Sequence, residues 1–437
     1  MLRWLVLLFA TAVSVIPARA QVPAKVTVTA FVNVAVIPMD RERVLAGQTV
    51  IVRGDRIVAM SPVGRVAVPA EAVRVDGRGQ FLMPGLADMH VHLWDDLKYG
   101  TVAPNVTDVL AALVANGITT VREMHSGGPT SATLALRRRV ASGELLGPRI
   151  YTAGDPDISS PEAAAKSVPA LKAAGHDFLK VYFWDDMRVY DSIQAAAARV
   201  GLRLVGHVPN KEMTLEKIAQ GHWASMEHLL SYYEWATEWA WNPDPAKQVK
   251  PPRADDAAIR KIALATRRAG VWNCPTLTVV TRTIDWNPDA APMVDFNFRL
   301  IKALHDVGAG VLLGTDAPYV MPGFSIHQEL EMLVEAGLTP YQALETGTRN
   351  VARFLGTEDS TGTIAVGKRA DLVLLRANPL VNIRHTTALA GVMLGGRWLP
   401  REELEQRLDA AKPDSLGQAG YGTFDVKLRL ARWWLWQ

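Results

Sequence analysis

The 437-residue chain has one cysteine, Cys274, so no disulfide can form within it. A chain of this length can bury a substantial core without cross-links. Net charge is small: 47 Lys and Arg against 44 Asp and Glu give a formal charge of +3. No basic run longer than three residues follows the first twenty, which argues against nucleic acid or an anionic membrane surface as partner. A small-molecule partner is expected instead. No Gly-rich nucleotide loop follows any early strand, so an open, doubly wound sheet lacks its usual signature. The apolar run Trp4 to Ile16 is shorter than the roughly 20 residues of a membrane anchor.

That run, with Arg3 before it and Ala18-Arg19-Ala20 after it, has the pattern of a secretory signal peptide. The mature protein is expected to begin at Gln21 and to be periplasmic or secreted, with no membrane association after cleavage near Ala20. Losing Arg3 and Arg19 takes the formal charge from +3 to +1.

From Val26 to Val75 short apolar stretches alternate with turn residues: Gln48-Thr-Val-Ile-Val, then Gly54-Asp55, then Arg56-Ile-Val-Ala-Met. The same vocabulary returns in Ala370-Asp-Leu-Val-Leu-Leu and Gly391-Val-Met-Leu-Gly-Gly-Arg-Trp. Two β-rich ends around a long middle predict one β-sandwich built from both termini. Between them, strand and helix signals alternate. Strands are expected at 118–122, 149–153, 178–182, 203–207, 224–228, 271–275 and 311–316, each followed by a helical stretch. With the opening strand this makes eight strand–helix units over roughly 250 residues, the pattern of a closed (β/α)8 barrel. The expected division is 1–20 signal peptide, 21–82 and 358–402 sandwich, 83–357 barrel, and 403–437 tail. The insertion 229–256 carries Tyr232, Tyr233, Trp235, Trp239 and Trp241. It is read either as a lid over the active face or as a surface excursion packed on its own aromatics. The tail ends Arg432-Trp-Trp-Leu-Trp, which suggests docking or contact in a homo-oligomer.

In such barrels chemistry gathers at the carboxyl ends of the strands. The first strand ends Met89-His90-Val91-His92, and the strand period of two puts both imidazoles on one side. The other ends bring Lys180, His207, His228 and Asp316. Taken singly, Lys180 fits a snorkelling lysine, the histidines satisfied core residues, and Asp316 a helix N-cap. Taken together on one face they point to a metal centre. An ammonium repels cations, so Lys180 joins the set only if carbon dioxide converts its neutral amine to a carbamate. That anion can bridge two divalent ions ~3.5–4 Å apart. One metal would be held by His90, His92, Lys180 and Asp316, the other by Lys180, His207 and His228. This ligand set suits Zn²⁺ best, with Mn, Co or Ni acceptable. Asp316 would also act as general acid and base.

These stretches resemble the amidohydrolase superfamily, in particular the imidazolonepropionase-like metal-dependent hydrolases that include Xaa-Pro and Xaa-Arg dipeptidases and ochratoxin-type amidases. The matching segments are Leu82-Met-Pro-Gly-Leu-Ala-Asp-Met-His-Val-His, Gly117-Ile-Thr-Thr-Val-Arg, Phe178-Leu-Lys-Val-Tyr, Gly206-His-Val, Met226-Glu-His, Leu313-Gly-Thr-Asp-Ala, Gly337-Leu-Thr-Pro-Tyr-Gln-Ala-Leu and Gly367-Lys-Arg-Ala-Asp-Leu-Val-Leu-Leu. The resemblance spans Val26 to Leu399 and implies a barrel with a flanking sandwich, a two-metal site and a carboxylated Lys180. Where the family has Val-Arg-Asp, this chain has Val121-Arg122-Glu123.

Deaminases of the superfamily carry a Glu three residues after the fifth-strand histidine. Here that position is Asn210. Hydrolysis of an amide or peptide bond, in dipeptides or N-acyl amino acids including ochratoxin-like amides, is therefore the expected reaction. An esterase or lactonase is the alternative, and a non-catalytic metal- or ligand-binding protein a more distant one. Tyr182 and Trp184, with Trp94, are candidate walls of a pocket for an aromatic or hydrophobic group. His125 and His327 are candidate substrate contacts.

Overall fold

The period-two stretches at the two ends of the chain fold into one sheet. The computed structural model describes residues 27–93, 105–124, 130–182, 186–208, 212–239 and 249–410. The signal-like segment, Trp94, His125, Trp184, Asn210, Trp241 and the Trp-rich end lie outside the described residues. The early strands are β1 (Val28–Val36), β2 (Leu45–Arg53), β3 (Arg56–Pro62), β4 (Val73–Asp76) and β5 (Phe81–Pro84). They join the late strands β13 (Leu372–Leu375), β14 (Leu389–Leu394) and β15 (Arg397–Pro400). The order is β15-β14-β13-β5-β1-β2-β3, with β4 beside β1. The expected two layers arise because this single sheet curls on itself. Phe31 of β1 meets Trp398 of β15 edge-on at 5.2 Å, and Arg56 bridges to Arg369 just ahead of β13. Inside the curl Phe31, Val50, Leu82, Leu374 and Met393 form one apolar cluster.

Gly85 alone separates β5 from the first barrel strand, β6 (Leu86–Val91). The parallel strands that follow are β7 (Ile118–Glu123), β8 (Arg149–Gly154), β9 (Phe178–Val181), β10 (Arg203–Gly206), β11 (Trp223–Glu227) and β12 (Trp272–Cys274), hydrogen-bonded in sequence order. The eighth position is filled by residues 311–317, which bridge to β6 at Val91–Ala317 and to β12 at Asn273–Val311 without forming a regular strand. Expected as a full strand, this segment departs for a clear reason. Its donors are diverted: Leu313 N goes to Thr346 O at 3.0 Å and Thr315 N to the Asp88 carboxylate at 3.0 Å. Barrel closure survives through Met89 N to Leu313 O (2.9 Å), Asp316 N to His90 O (2.7 Å) and His92 N to Ala317 O (2.7 Å).

The helices start and stop where local chemistry directs. Ser160 caps the helix Pro161–Ala174, Pro161 fills its first turn, and Gly175 ends it in the left-handed region. The helix Met187–Val200 begins where Asp186 caps it, its side chain accepting from Arg188 N. The barrel interior is packed by Ala87, Met89, Phe178, Val205, Cys274 and Leu312, and Phe354 of the helix Arg349–Leu355 plugs it from the other side. Phe178 and Phe354 stack at 5.3 Å, with the guanidinium groups of Arg122 and Arg203 each within 5.8 Å of both rings.

The aromatic insertion after β11 is anchored rather than loose where it is described. Tyr232 and Tyr233 are fully buried, Tyr232 Oη donates to Asn273 Oδ1 at 2.7 Å, and Tyr233 packs edge-on against Phe296 at 5.3 Å. Among the described residues no helix is long and apolar enough to cross a membrane.

Two buried histidines make the fold sensitive to acid. Burial, with Arg137 nearby, lowers His176 to about 4, and burial lowers His327 to about 3. The unfolded chain, with histidines near 6.5, takes up these protons first. Stability is therefore full above about pH 6.5 and is lost as pH falls toward 4. The thermal midpoint is expected to drop across that window, and His176→Asn to flatten the slope. An identical slope in the variant, measured by calorimetry, would count against this origin.

Candidate metal centre

The carboxyl ends of the barrel strands collect the charged side chains of the interior. His90 lies on β6 and His92 one residue past its end. Lys180 lies on β9, and His207 and His228 are the first residues after β10 and β11. Asp316 lies on the 311–317 segment. The structure brings the histidines and Asp316 into contact distance. His92 Nε2 and His90 Nε2 stand 3.0 and 3.4 Å from Asp316 Oδ1, and His228 Nδ1 is 3.9 Å from Oδ2. The His90 and His228 rings are 4.7 Å apart, as are those of His207 and His228. His90, His228 and Asp316 each offer a ligand atom within 4.8 Å of the others. Lys180 is buried at the same face, with Nζ 5.0 Å from the Tyr182 ring, and its charge bears on His90, His207 and His228.

Backbone conformation places several of these groups. His228, Thr276 and Asp316 all have positive φ (67°, 49° and 63°), a region that costs a non-glycine residue roughly 1–3 kcal/mol. The surrounding contacts hold them there. Gly206, with φ of 133°, lets β10 end against β9, since a Cβ there would sit 2.1 Å from Val181 O. The next residue is His207, whose N–H donates to that same oxygen at 2.9 Å. Gly314 similarly allows close approach, as a Cβ would fall 2.4 Å from Cys274 Sγ.

A buried chain of polar contacts aims His90. Its Nδ1 hydrogen-bonds Glu227 Oε2 at 2.8 Å, while Glu227 Oε1 accepts from Arg122 Nη2 at 2.9 Å and from Ser225 Oγ at 2.6 Å. Arg122 in turn donates to Met89 O at 2.7 Å and Ser225 Oγ at 2.7 Å. A carboxylate on Nδ1 fixes that nitrogen as the protonated one, which leaves Nε2 as a lone-pair donor. That Nε2 is buried and has no hydrogen-bond partner. Thr276 does the same for His228: its hydroxyl donates to Pro275 O at 2.8 Å and so accepts from His228 Nδ1 at 2.7 Å. Glu329 fixes the loop carrying Thr276 by accepting from Leu277 N and Thr278 N, both at 2.8 Å. Asp88 ties β6 to the Asp316 segment, accepting from Thr315 Oγ1 at 2.6 Å and from His90 N at 3.2 Å.

The electrostatics favour neutral imidazoles and one anion. Burial lowers His90, His207 and His228, with Lys180 adding to each. Burial also lowers Lys180 to about 8, which brings its neutral amine within reach near neutral pH. Burial pushes Asp316 up, and the close imidazoles of His90, His92 and His228 oppose it, so that the cluster as a whole favours one ionised carboxylate below the usual range. Neutral imidazoles, an ionised carboxylate and an orphaned Nε2 fit a bound divalent cation.

Among the expected substrate contacts, Tyr182 belongs to this face: its ring lies 5.8 Å from His207, and burial pushes its hydroxyl up, keeping it protonated. The structure does not bring His327 to the cluster. It lies in the helix Ser325–Glu335, where Nδ1 meets Thr386 Oγ1 at 2.9 Å and Arg401 is its charged neighbour. Trp94, His125 and Trp184 lie outside the described residues. The sequence reading gave no role to Arg122, Glu227, Thr276 or Asp88. A signal for the first two was present, since Arg122 and Glu227 are charged residues within predicted barrel strands. Glu227→Gln is expected to weaken metal binding by about 10- to 100-fold, read by competition with a chelator. Unchanged metal affinity would remove Glu227 from this role.

Comparison with known proteins fits this geometry. The amidohydrolase family model matches residues 81–399. An imidazolonepropionase from Rubrobacter xylanophilus is 26% identical over 395 residues, covering 80% of this chain and 91% of the relative. An adenine deaminase from Chelativorans sp. is 26% identical over 354 residues, covering 76% of this chain; the chain spans 52% of that relative's length. Among solved structures, a Xaa-Pro dipeptidase with bound methionine superposes with a TM-score of 0.68 at 20% identity, covering 86% of this chain and 100% of the other. The chain belongs to the amidohydrolase family.

Proposed function

We propose that this hydrolase cleaves an amide or peptide bond in dipeptides or N-acyl amino acids, ochratoxin-like amides among them, after export from the cytoplasm. The observation that carries the reading is the orphaned Nε2 of His90, aimed at Asp316 within a ring of neutral histidines. His90, His92, Lys180 and Asp316 would hold one divalent ion, and Lys180, His207 and His228 a second, with Lys180 carboxylated by carbon dioxide. Zn²⁺ suits this donor set best. Bound metals would polarise the scissile carbonyl and make a water acidic enough to attack near neutral pH.

The remaining work falls to the chain's own groups. Asp316, ionised, accepts the proton of the attacking water and returns it to the departing amine nitrogen. His92 Nε2, 3.0 Å from Asp316 Oδ1, would turn its lone pair to the ion that this carboxylate also holds, while the Asp316 N–H, donating to His90 O at 2.7 Å, keeps the residue in its positive-φ conformation. Tyr182, kept protonated by burial, offers a hydrogen bond to a substrate oxygen while its ring forms part of the wall. Trp94 and Trp184 extend that wall in the sequence reading and favour an aromatic or hydrophobic group beside the bond.

The similarity to adenine deaminases supports deamination as a second reading. Asn210, where a deaminase of the superfamily carries glutamate, weighs against it. An ester or lactone could use the same groups, since only the leaving atom differs.

Metal-replete protein is expected to contain close to two divalent ions per chain and to hydrolyse aromatic N-acyl amino acids or dipeptides faster than small or cationic ones. Adenine turnover without amide hydrolysis would overturn the reading. Lys180→Ala is expected to lose most bound metal and at least about 100-fold in kcat/KM, with the wild-type chain heavier by one carbon dioxide in native mass spectrometry. Full activity in that variant would refute the carbamate bridge.

A further inference from the structure

At the opposite end of the barrel, a small cleft open to solvent separates the first strands from the accessory sheet. Its walls come from Arg149 and Tyr151 of β8, Thr120 of β7, the turn at Thr348, and Arg369 with Asp371 ahead of β13. The register pairs Thr120 with Arg149 and Arg122 with Tyr151. These four residues therefore share the face on which Arg122 reaches across the barrel to Ser225.

Donors outnumber acceptors in this cleft. The Arg149 guanidinium makes no hydrogen bond, and its ion-pair contact is 3.7 Å from Asp371 Oδ2. Arg369 Nε is buried with no hydrogen-bond partner, 3.5 Å from the same oxygen, while its Nη1 pairs with Asp55 at 2.9 Å. Among the described residues the Tyr151 and Thr120 hydroxyls have no hydrogen-bond partner either. The one carboxylate inside the cleft is largely committed, because Asp371 Oδ1 accepts from Gly395 N at 2.6 Å. Around the rim Arg56, Arg149 and Arg369 face Asp55 and Asp371, which leaves one positive charge in excess.

A set of unfilled donors with a net cation in a partly enclosed space is the environment an anion completes. We propose that this cleft binds a small oxyanion of the sulfate or phosphate kind between Arg149, Arg369, Tyr151 and Thr120. An oxyanion there accepts from both guanidinium groups without displacing Asp371 from Gly395. It also joins the barrel, through β7 and β8, to the accessory sheet, through Arg369. The site lies on the face away from Asp316, so occupancy does not compete with substrate.

The test is calorimetric titration of the full-length, metal-loaded protein with sulfate, at ionic strength held constant with chloride. One saturable site is expected, together with a sulfate-specific rise in thermal midpoint. Arg149→Ala is expected to weaken binding by about tenfold or more, the loss of one charge-assisted hydrogen bond, and Tyr151→Phe by a smaller factor. Arg149 is part-exposed and makes only the 3.7 Å contact, so its removal is expected to leave the far-ultraviolet circular dichroism and kcat/KM unchanged. Sulfate heats and midpoints identical in wild type and Arg149→Ala would overturn the assignment, including the case where sulfate binds at the metal centre instead. So would a sulfate response no larger than that to chloride.

Discussion

The site depends on a full positive charge buried in the middle of the barrel. Arg122 is completely enclosed, and its guanidinium is compensated by Glu227, which in turn takes its second hydrogen-bonding direction to His90. A pair of this kind adds little net stability, but removing one partner leaves an uncompensated interior charge at a cost of about 3–5 kcal/mol. The arrangement makes the orientation of one imidazole part of the core packing. Phe178 and Phe354, stacked beside Arg122, make the plug helix at the far end of the barrel part of the same construction.

Around that fixed centre the carboxyl-end face of the barrel carries its irregularities. Regular hydrogen bonding runs from β6 to β12 and fails on the 311–317 segment, where Asp88 and Thr346 take backbone donors that a strand would have used. The cost of the left-handed residues His228, Thr276 and Asp316 is offset by these contacts and by Glu329. The irregular residues are the ones that present side-chain donors and acceptors at the carboxyl ends of the strands.

Much of this was legible in the sequence because it follows from periodicity. The alternation of His90 and His92 and the repeated strand–helix order are local signals, and the structure follows them closely. What periodicity could not show was which residues meet across the barrel. Arg122 and Glu227 are 105 residues apart, and neither side chain signals by itself that it faces the other. Nor could periodicity show that the helical turn carrying His327 would bring its Nδ1 to Thr386, 59 residues further on. The eighth strand was expected from its apolar residues, and side-chain competition for its N–H groups is invisible to an apolar pattern.

The accessory sheet has a consequence for the order of folding. Leu82 pairs with Leu374 across β5 and β13, so the strand that leads directly into β6 has no completed neighbour on that side until nearly the whole barrel has been made. Loop-closure entropy for such distant partners has to be met before their contacts return anything, which slows folding. While synthesis proceeds, β5 offers an unpaired apolar edge of the kind that aggregates or recruits chaperones. The nascent chain is thus vulnerable at Phe81 to Pro84, only six residues before His90.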